Sequence, residues 1–121
     1  MAKVLSIQPS PAPFIRIRAT GLLRAADYRS FAPAFAAELA RLSPPVPLLL
    51  DLRGFRGWTP GGLIRDLRWD LRNRRSFAKI AVIGDARWHR WLTAAGAALF
   101  RAPLRYFPAG DEQSAEAWLD S

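Results

Sequence analysis

The chain has 121 residues, 50% hydrophobic and 23% charged, the composition of an ordinary globular protein, which excludes a disordered one. It contains no cysteine, so disulfide stapling, thiol nucleophiles and cysteine-ligated zinc are ruled out. Eighteen Lys+Arg against ten Asp+Glu give a formal charge of +8, a field that favours anionic lipid, nucleic acid or an acidic protein face.

An arginine-rich, lysine-poor balance is also the codon signature of a GC-rich genome, so charge alone names no function. The start, MAKVLSIQPSPAP, lacks the long apolar run of a secretory signal, and no apolar stretch approaches the roughly 20 residues that span a bilayer. The expectation is a soluble, cytoplasmic protein folded as one domain over residues 1–121.

Residues 4–8 read as a short strand, followed by turn-rich 9–13. Residues 14–20 alternate, with Ile15, Ile17 and Ala19 on one side and Phe14, Arg16, Arg18 and Thr20 on the other, predicting a strand with one buried and one solvated face. Gly21 breaks it. Helical spacing over 25–42 sets Tyr28, Phe31, Phe35, Leu39 and Leu42 in one stripe, with Asp27 in the first turn and Pro33 predicting a kink or a late start. Ser43-Pro44-Pro45 stops this helix. The apolar run 47–52 predicts an interior strand covered on both faces.

Residues 54–57 read as a turn. Thr59-Pro60 then signals a helix start, with Thr59 as N-cap and Pro60 at the first helical position, and the helix runs to about Asn73. A second interior strand at 78–84 precedes a helix over 86–99, with Asp85 expected as its cap. A strand at 104–107 and a helix at 114–119 close the chain. The order ββαβαβαβα predicts an α/β fold with a mostly parallel five-stranded sheet, the first strand antiparallel, and four helices.

With the elements placed, GWTPGGLIRDLRW, KIAVIGDARWHRWL, RYF and AWL together resemble the SpoIIAA-like family of the STAS superfamily, related in fold to CRAL-TRIO (SEC14-type) domains. The upstream ATGLLRAADYRSFAPAF resembles the family's strand-to-first-helix segment. The resemblance implies a STAS-like fold, frequently dimeric, for which membrane association and an apolar ligand beneath mobile helices have been proposed. It also implies an alternative role as a protein-interaction regulator, since SpoIIAA proteins are anti-sigma factor antagonists with a phosphorylatable serine in an Asp-Ser-Ser-Gly-like turn. Here the turn is Gly57-Trp58-Thr59-Pro60-Gly61-Gly62, and Thr59, its one hydroxyl, stands as a helix cap or a modification site.

On a helix over 60–75, Leu63, Ile64, Leu67 and Leu71 share about a third of the circumference and are expected to face the core. Arg65, Arg68, Arg72 and Arg75 line the opposite side, with Trp69 among them. Either a neighbouring element covers that indole, or it contributes to an exposed basic-aromatic surface. On the helix 86–99, Trp88, Trp91, Leu92, Ala95, Ala98 and Leu99 share a face. The Gly- and Ala-rich stretch 94–98 offers little area to anchor it, so this segment is expected to act as a mobile lid.

The single histidine, His89, flanked by Arg87 and Arg90, reads as a surface residue. Asp66 and Asp70, one turn apart, are expected to pair with arginine neighbours. Gly61-Gly62 at a helix start lacks the Gly-Lys-Ser/Thr of a phosphate-binding loop. No catalytic, metal or cofactor constellation is present. The expected function is therefore a non-enzymatic STAS-like module for a lipid-like or amphipathic ligand, associated with an anionic membrane surface and forming a homodimer. The residues expected to contact ligand or membrane are Trp58, Trp69, Trp88, Trp91, Leu92, Leu99, Arg65 and Arg72. Nucleic-acid binding ranks last, resting on charge alone.

Overall fold

The computed structural model describes residues 4–8 and 14–121, so the turn read at 9–13 lies outside the described residues. The first half of the chain forms β1 (Leu5–Gln8), β2 (Ile15–Ala19), β3 (Gly21–Leu23), α1 (Ala25–Leu42), β4 (Val46–Asp51) and β5 (Phe55–Trp58). The second half forms α2 (Pro60–Asn73), β6 (Phe77–Gly84), α3 (Arg87–Gly96), β7 (Leu104–Pro108), a 3-10 turn at Ala109–Asp111 and α4 (Glu112–Asp120). The main sheet has the order β1-β2-β4-β6-β7, antiparallel between β1 and β2 and parallel elsewhere. The expected α/β class, five-stranded sheet and four helices are all present.

Alternation along the strands divides the core in two. Ile15, Ile17, Leu48, Ile80 and Val82 pack with Tyr28, Phe31 and Phe35 of α1 on one face. Leu49, Ala81, Ile83 and Phe107 pack with Phe14 and with Ala115 and Leu119 of α4 on the other. The side of β2 expected to be solvated is therefore covered in large part. Phe14 is buried, and Arg16 forms ion pairs with Glu112 (2.8 Å) and Glu116 (3.3 Å) of α4. Period-two alternation shows which residues share a face, not whether a helix some 90 residues later lies on it.

On that same face Asp51 is buried and anchors a small ionic network. Its carboxylate accepts from Arg53 Nε (2.9 Å), Arg53 Nη2 (2.6 Å) and the Arg53 backbone N–H (3.1 Å), and Arg53 also reaches Glu112 at 3.3 Å. Burial alone would raise the Asp51 carboxyl. The hydrogen bonds and charge of Arg53 outweigh it and hold the group below the ordinary carboxylate range. At the far end of the sheet, Lys79 Nζ donates to the Trp118 carbonyl at 3.0 Å and so holds the last turn of α4.

α1 opens with Asp27 Oδ2 accepting from the Arg24 backbone N–H at 2.7 Å, as the first-turn carboxylate predicts. It begins at Ala25 and passes through Pro33, which lies on its exposed side, so the helix does not start late.

Two corrections concern short strands. The chain does not simply turn at Gly21 and at 54–57. Residues Gly21–Leu23 and Phe55–Trp58 pair in parallel as a separate two-stranded ribbon. Gly21 has φ +65, a left-handed conformation that L-residues other than glycine adopt at a cost, and its N–H donates to the Gly54 carbonyl at 2.8 Å. That turn swings the chain out of the main sheet after β2 and into the ribbon.

The ribbon sets the start of α2. Thr59 N–H donates to the Leu23 carbonyl at 2.9 Å, and Thr59 Oγ1 accepts from Gly62 N–H at 3.0 Å, confirming the expected cap. A Cβ at Gly62 would lie 2.3 Å from the Leu23 carbonyl oxygen, so this glycine is required for close approach of helix to ribbon. Gly62→Ala is expected to lower the unfolding free energy by about 3 kcal/mol, the upper end of an overpacking penalty against backbone. Urea denaturation checks this, and a loss under about 0.5 kcal/mol, the scatter of ordinary surface substitutions, would contradict the packing account.

Candidate functional site

α2 is turned differently from its apolar stripe. Leu63, Ile64, Leu67 and Leu71 are all exposed, Ile64 at 54% and Leu71 at 52%. The residue that enters the core is Trp69, whose ring lies 4.9 Å from Phe35 edge-on, 5.9 Å from Phe31 and 6.1 Å from Phe77. The helix leans on α1 through this aromatic cluster. An indole buries about 150–250 Å² and edge contacts add to that, which is enough to orient a two-sided helix. Of the two readings of Trp69, coverage by a neighbouring element holds, and the neighbour is α1.

This rotation leaves Leu63 and Leu67 facing the edge of a cavity of about 450 Å³ that lies under α2 and α3 and is floored by the sheet. The floor consists of Ile17, Ala19, Leu48, Leu50, Ile80 and Val82, and the α3 side of Leu92, Ala95, Gly96 and Leu99. The volume lies within the range of about 300–1,000 Å³ usual for small-molecule sites. Of the residues expected at the ligand, Trp58, Trp69, Leu92 and Leu99 line this cavity. Trp88 does not; its ring packs on Phe55 at 5.3 Å and His89 at 4.5 Å. Trp91 projects from α3 with 72% of its surface exposed, and Arg65 and Arg72 are exposed on α2. Thr59 caps α2 and also donates to the Leu23 carbonyl at 3.4 Å.

The cavity wall carries one polar cluster, which the sequence reading missed. Trp58 Nε1–H donates to Tyr28 Oη at 2.9 Å, and Tyr28 O–H donates to Asp66 Oδ1 at 2.7 Å. Asp70, one turn on, hydrogen-bonds to Asp66. The expectation that these aspartates pair with arginines is wrong. At about 100° per residue the pair lies at the border between the Trp69 side and the Leu63 side, so both carboxyls turn inward, away from the arginine face. Burial, then the Asp66 charge and the hydrogen bond to Asp66, push Asp70 up to about 9. Burial also raises Asp66, against the hydrogen bonds from Asp70 and Tyr28 that favour its ionised form. Burial and the Asp66 charge raise the Tyr28 phenol. A tyrosine at 28 and carboxyls at 66 and 70 share no local motif, so no sequence signal connects them.

His89 is a further correction, since it is fully buried. Its Nδ1 accepts from the Asp85 backbone N–H at 3.2 Å, and its Nε2 meets the Phe55 carbonyl at 3.0 Å as donor. Asp85 does not cap α3, whose N-cap is Ala86; its Oδ2 instead accepts from Gly54 N–H at 3.0 Å. α3 spans only Arg87–Gly96 and gives way to turns before 99. The imidazole pins the first turn of α3 to β5, while the second half of the helix borders the cavity with small residues.

The inward carboxyls make stability depend on pH. The unfolded chain releases the Asp70 proton near the ordinary 3.8, the folded chain near 9, so between those values the folded state binds more protons. Stability then falls as pH rises through this window. Relative to Asp70→Asn, the wild type is expected to lose about 1–3 kcal/mol between about pH 5 and about pH 8.5, the size of a poorly compensated buried polar group. Denaturant titrations of both proteins at the two pH values check this, and a pH-independent difference would contradict it.

Among the described residues no group of three or more His, Cys, Asp or Glu is placed to hold a metal ion, and no helix is long and apolar enough to cross a membrane. No curated protein matches the chain. Its fold is similar to the crystal structure of an uncharacterized protein of the DUF3478 family with a SpoIIAA-like fold from Shewanella loihica PV-4. The TM-score is 0.79 at 23% identity, covering 95% of this chain and 91% of that one. Strands β2 to β7, the ribbon-borne helix cap and the α2–α3 roof all fall within residues 14–120, which match the SpoIIAA-like family, and the chain belongs to that family.

Proposed function

We propose that this STAS-like protein is a non-enzymatic binding module that takes an amphipathic, lipid-like molecule into the cavity under α2 and α3. The observation that carries this reading is the rotation of α2. Leu63 and Leu67 are left exposed at the edge of an apolar cavity, an arrangement that costs hydrophobic stabilisation of about 25 cal/mol per Å² unless an apolar guest covers them.

The rim supports a second part of the same reading, delivery at an anionic membrane surface. Trp91, Ile64 and Leu71 are exposed on the two roof helices, and Arg65, Arg68, Arg72, Arg87 and Arg90 are exposed on the same helices. Indoles favour the lipid interface, and each cation near anionic lipid contributes about 1 kcal/mol.

The neutral fluorescent probe N-phenyl-1-naphthylamine tests the cavity. It is expected to bind with one-to-one stoichiometry and to quench tryptophan emission, because Trp58 and Trp69 line the site. Leu50→Trp, which fills the floor, is expected to weaken binding by about tenfold or more, equal to ~1.4 kcal/mol, with an unchanged circular dichroism spectrum. Binding unaffected by Leu50→Trp would place the probe elsewhere and contradict the reading.

Vesicle co-sedimentation tests the rim. Binding to phosphatidylglycerol vesicles is expected at low salt, weakened severalfold by Trp91→Glu and lost at about 0.5 M NaCl as screening shortens the reach of the arginines. Equal binding to neutral and anionic vesicles would remove the electrostatic part.

A further inference from the structure

The polar cluster at the cavity wall consists of Trp58, Tyr28, Asp66 and Asp70. Every donor in it is already engaged. The Trp58 N–H points at Tyr28, the Tyr28 O–H points at Asp66, and any proton on the carboxyl pair lies between Asp66 and Asp70. What the cluster presents to the cavity is lone pairs and negative charge, with no free donor. Among the residues lining the cavity, Asp66 and Asp70 are the charged ones and neither lysine nor arginine is present. The ion pairs of the described residues include neither carboxyl, although α2 itself carries Arg65, Arg68 and Arg72. In a chain with net charge +8, a cavity whose charged lining is acidic has a local preference opposite to the protein's overall field.

We infer that the cavity takes an apolar molecule bearing a protonated amine, its ammonium placed against the Asp66 and Asp70 carboxyls and its apolar part along Leu50, Leu63 and Leu67. This rests on the ligand-binding reading above and narrows it to a class of head group. An anionic head, as in a fatty acid, would meet like charge at Asp66 and Asp70 in a low-dielectric wall. A neutral alcohol gains an ordinary hydrogen bond, whereas an ammonium gains charge-assisted ones about twice as strong.

The proton balance agrees with this. α1 brings Tyr28 to the pair and β5 brings Trp58, while α3 and the sheet bring no titratable group to the cavity wall, so Asp66, Asp70 and Tyr28 are the titratable groups there. Burial beside Asp66 keeps one proton on the pair at neutral pH. An incoming ammonium replaces that proton, so binding releases it and tightens as pH rises toward about 9.

Isothermal titration with decylamine, decanol and decanoate, each below its micelle concentration at about pH 7.5, tests the assignment. Decylamine is expected to bind at least about tenfold more tightly than decanol, with decanoate weakest. Repeating the decylamine titration in buffers of different ionisation enthalpy is expected to show net proton release. The double variant Asp66→Asn/Asp70→Asn is expected to lose both the amine preference and the proton release. Its circular dichroism spectrum reports whether it folds, and the wild-type ranking stands without it. Equal affinity for the three probes, or tighter decanoate, would overturn the head-group assignment and leave the cavity reading intact. Failure of all three probes, together with failure of N-phenyl-1-naphthylamine, would overturn the cavity reading itself.

Discussion

The insertion of Trp69 among Phe31, Phe35 and Phe77 is the contact on which the rest of this structure depends. A helix has one rotation about its axis, and a large indole buried on one side fixes it. With Trp69 held by α1, the aliphatic side of α2 cannot also reach the sheet, and the space beneath it becomes the cavity. The same rotation brings Asp66 and Asp70 inward, where Tyr28, itself accepting from Trp58, satisfies part of the hydrogen-bonding capacity of Asp66. The ribbon reinforces it from the other end, because Gly62 lets α2 start against the Leu23 carbonyl without a side chain between them.

The two faces of the sheet are built on different principles. The α4 side is closed by apolar packing of Phe14, Phe107 and Leu119 and by a network of opposite charges around Asp51, Arg16, Arg53 and Glu112. Asp51 there has a guanidinium partner in Arg53, which favours its ionisation. The roof side has the reverse character. Its carboxyls are held by neutral donors and by each other, and burial works against their charge. Such an arrangement lowers stability locally in the free protein, a pattern that concentrates where a protein meets its ligand.

α3 combines a firm start with a weak finish. His89 and Thr93 tie its first turns to the ribbon and to the helix backbone. Beyond them, Ala95, Gly96 and Ala98 give the cavity wall little side-chain area. The tryptophans divide accordingly. Trp88 stacks on the anchored end beside Phe55 and His89, while Trp91 stands outward beside exposed Arg87 and Arg90.

The linear sequence by itself determined the α/β class, the strand order's raw material and most element boundaries. Those rest on local signals: the period-two run at β2, the apolar runs at β4 and β6, and the Thr59-Pro60 helix start. It also held the family, in the turn from Gly57 to Gly62 and the segments after it. The facing of α2 was decided only in three dimensions. A helical wheel gives relative directions about one axis, but which direction is inward is set by neighbours on other elements, here Phe31 and Phe35 of α1, more than 30 residues earlier, and Phe77 of β6. The burial of His89, the ribbon of β3 and β5, and the joining of Tyr28 to Asp66 and Asp70 have the same origin. Each is a contact across some 30 or more residues of chain, chosen by packing and not by local propensity.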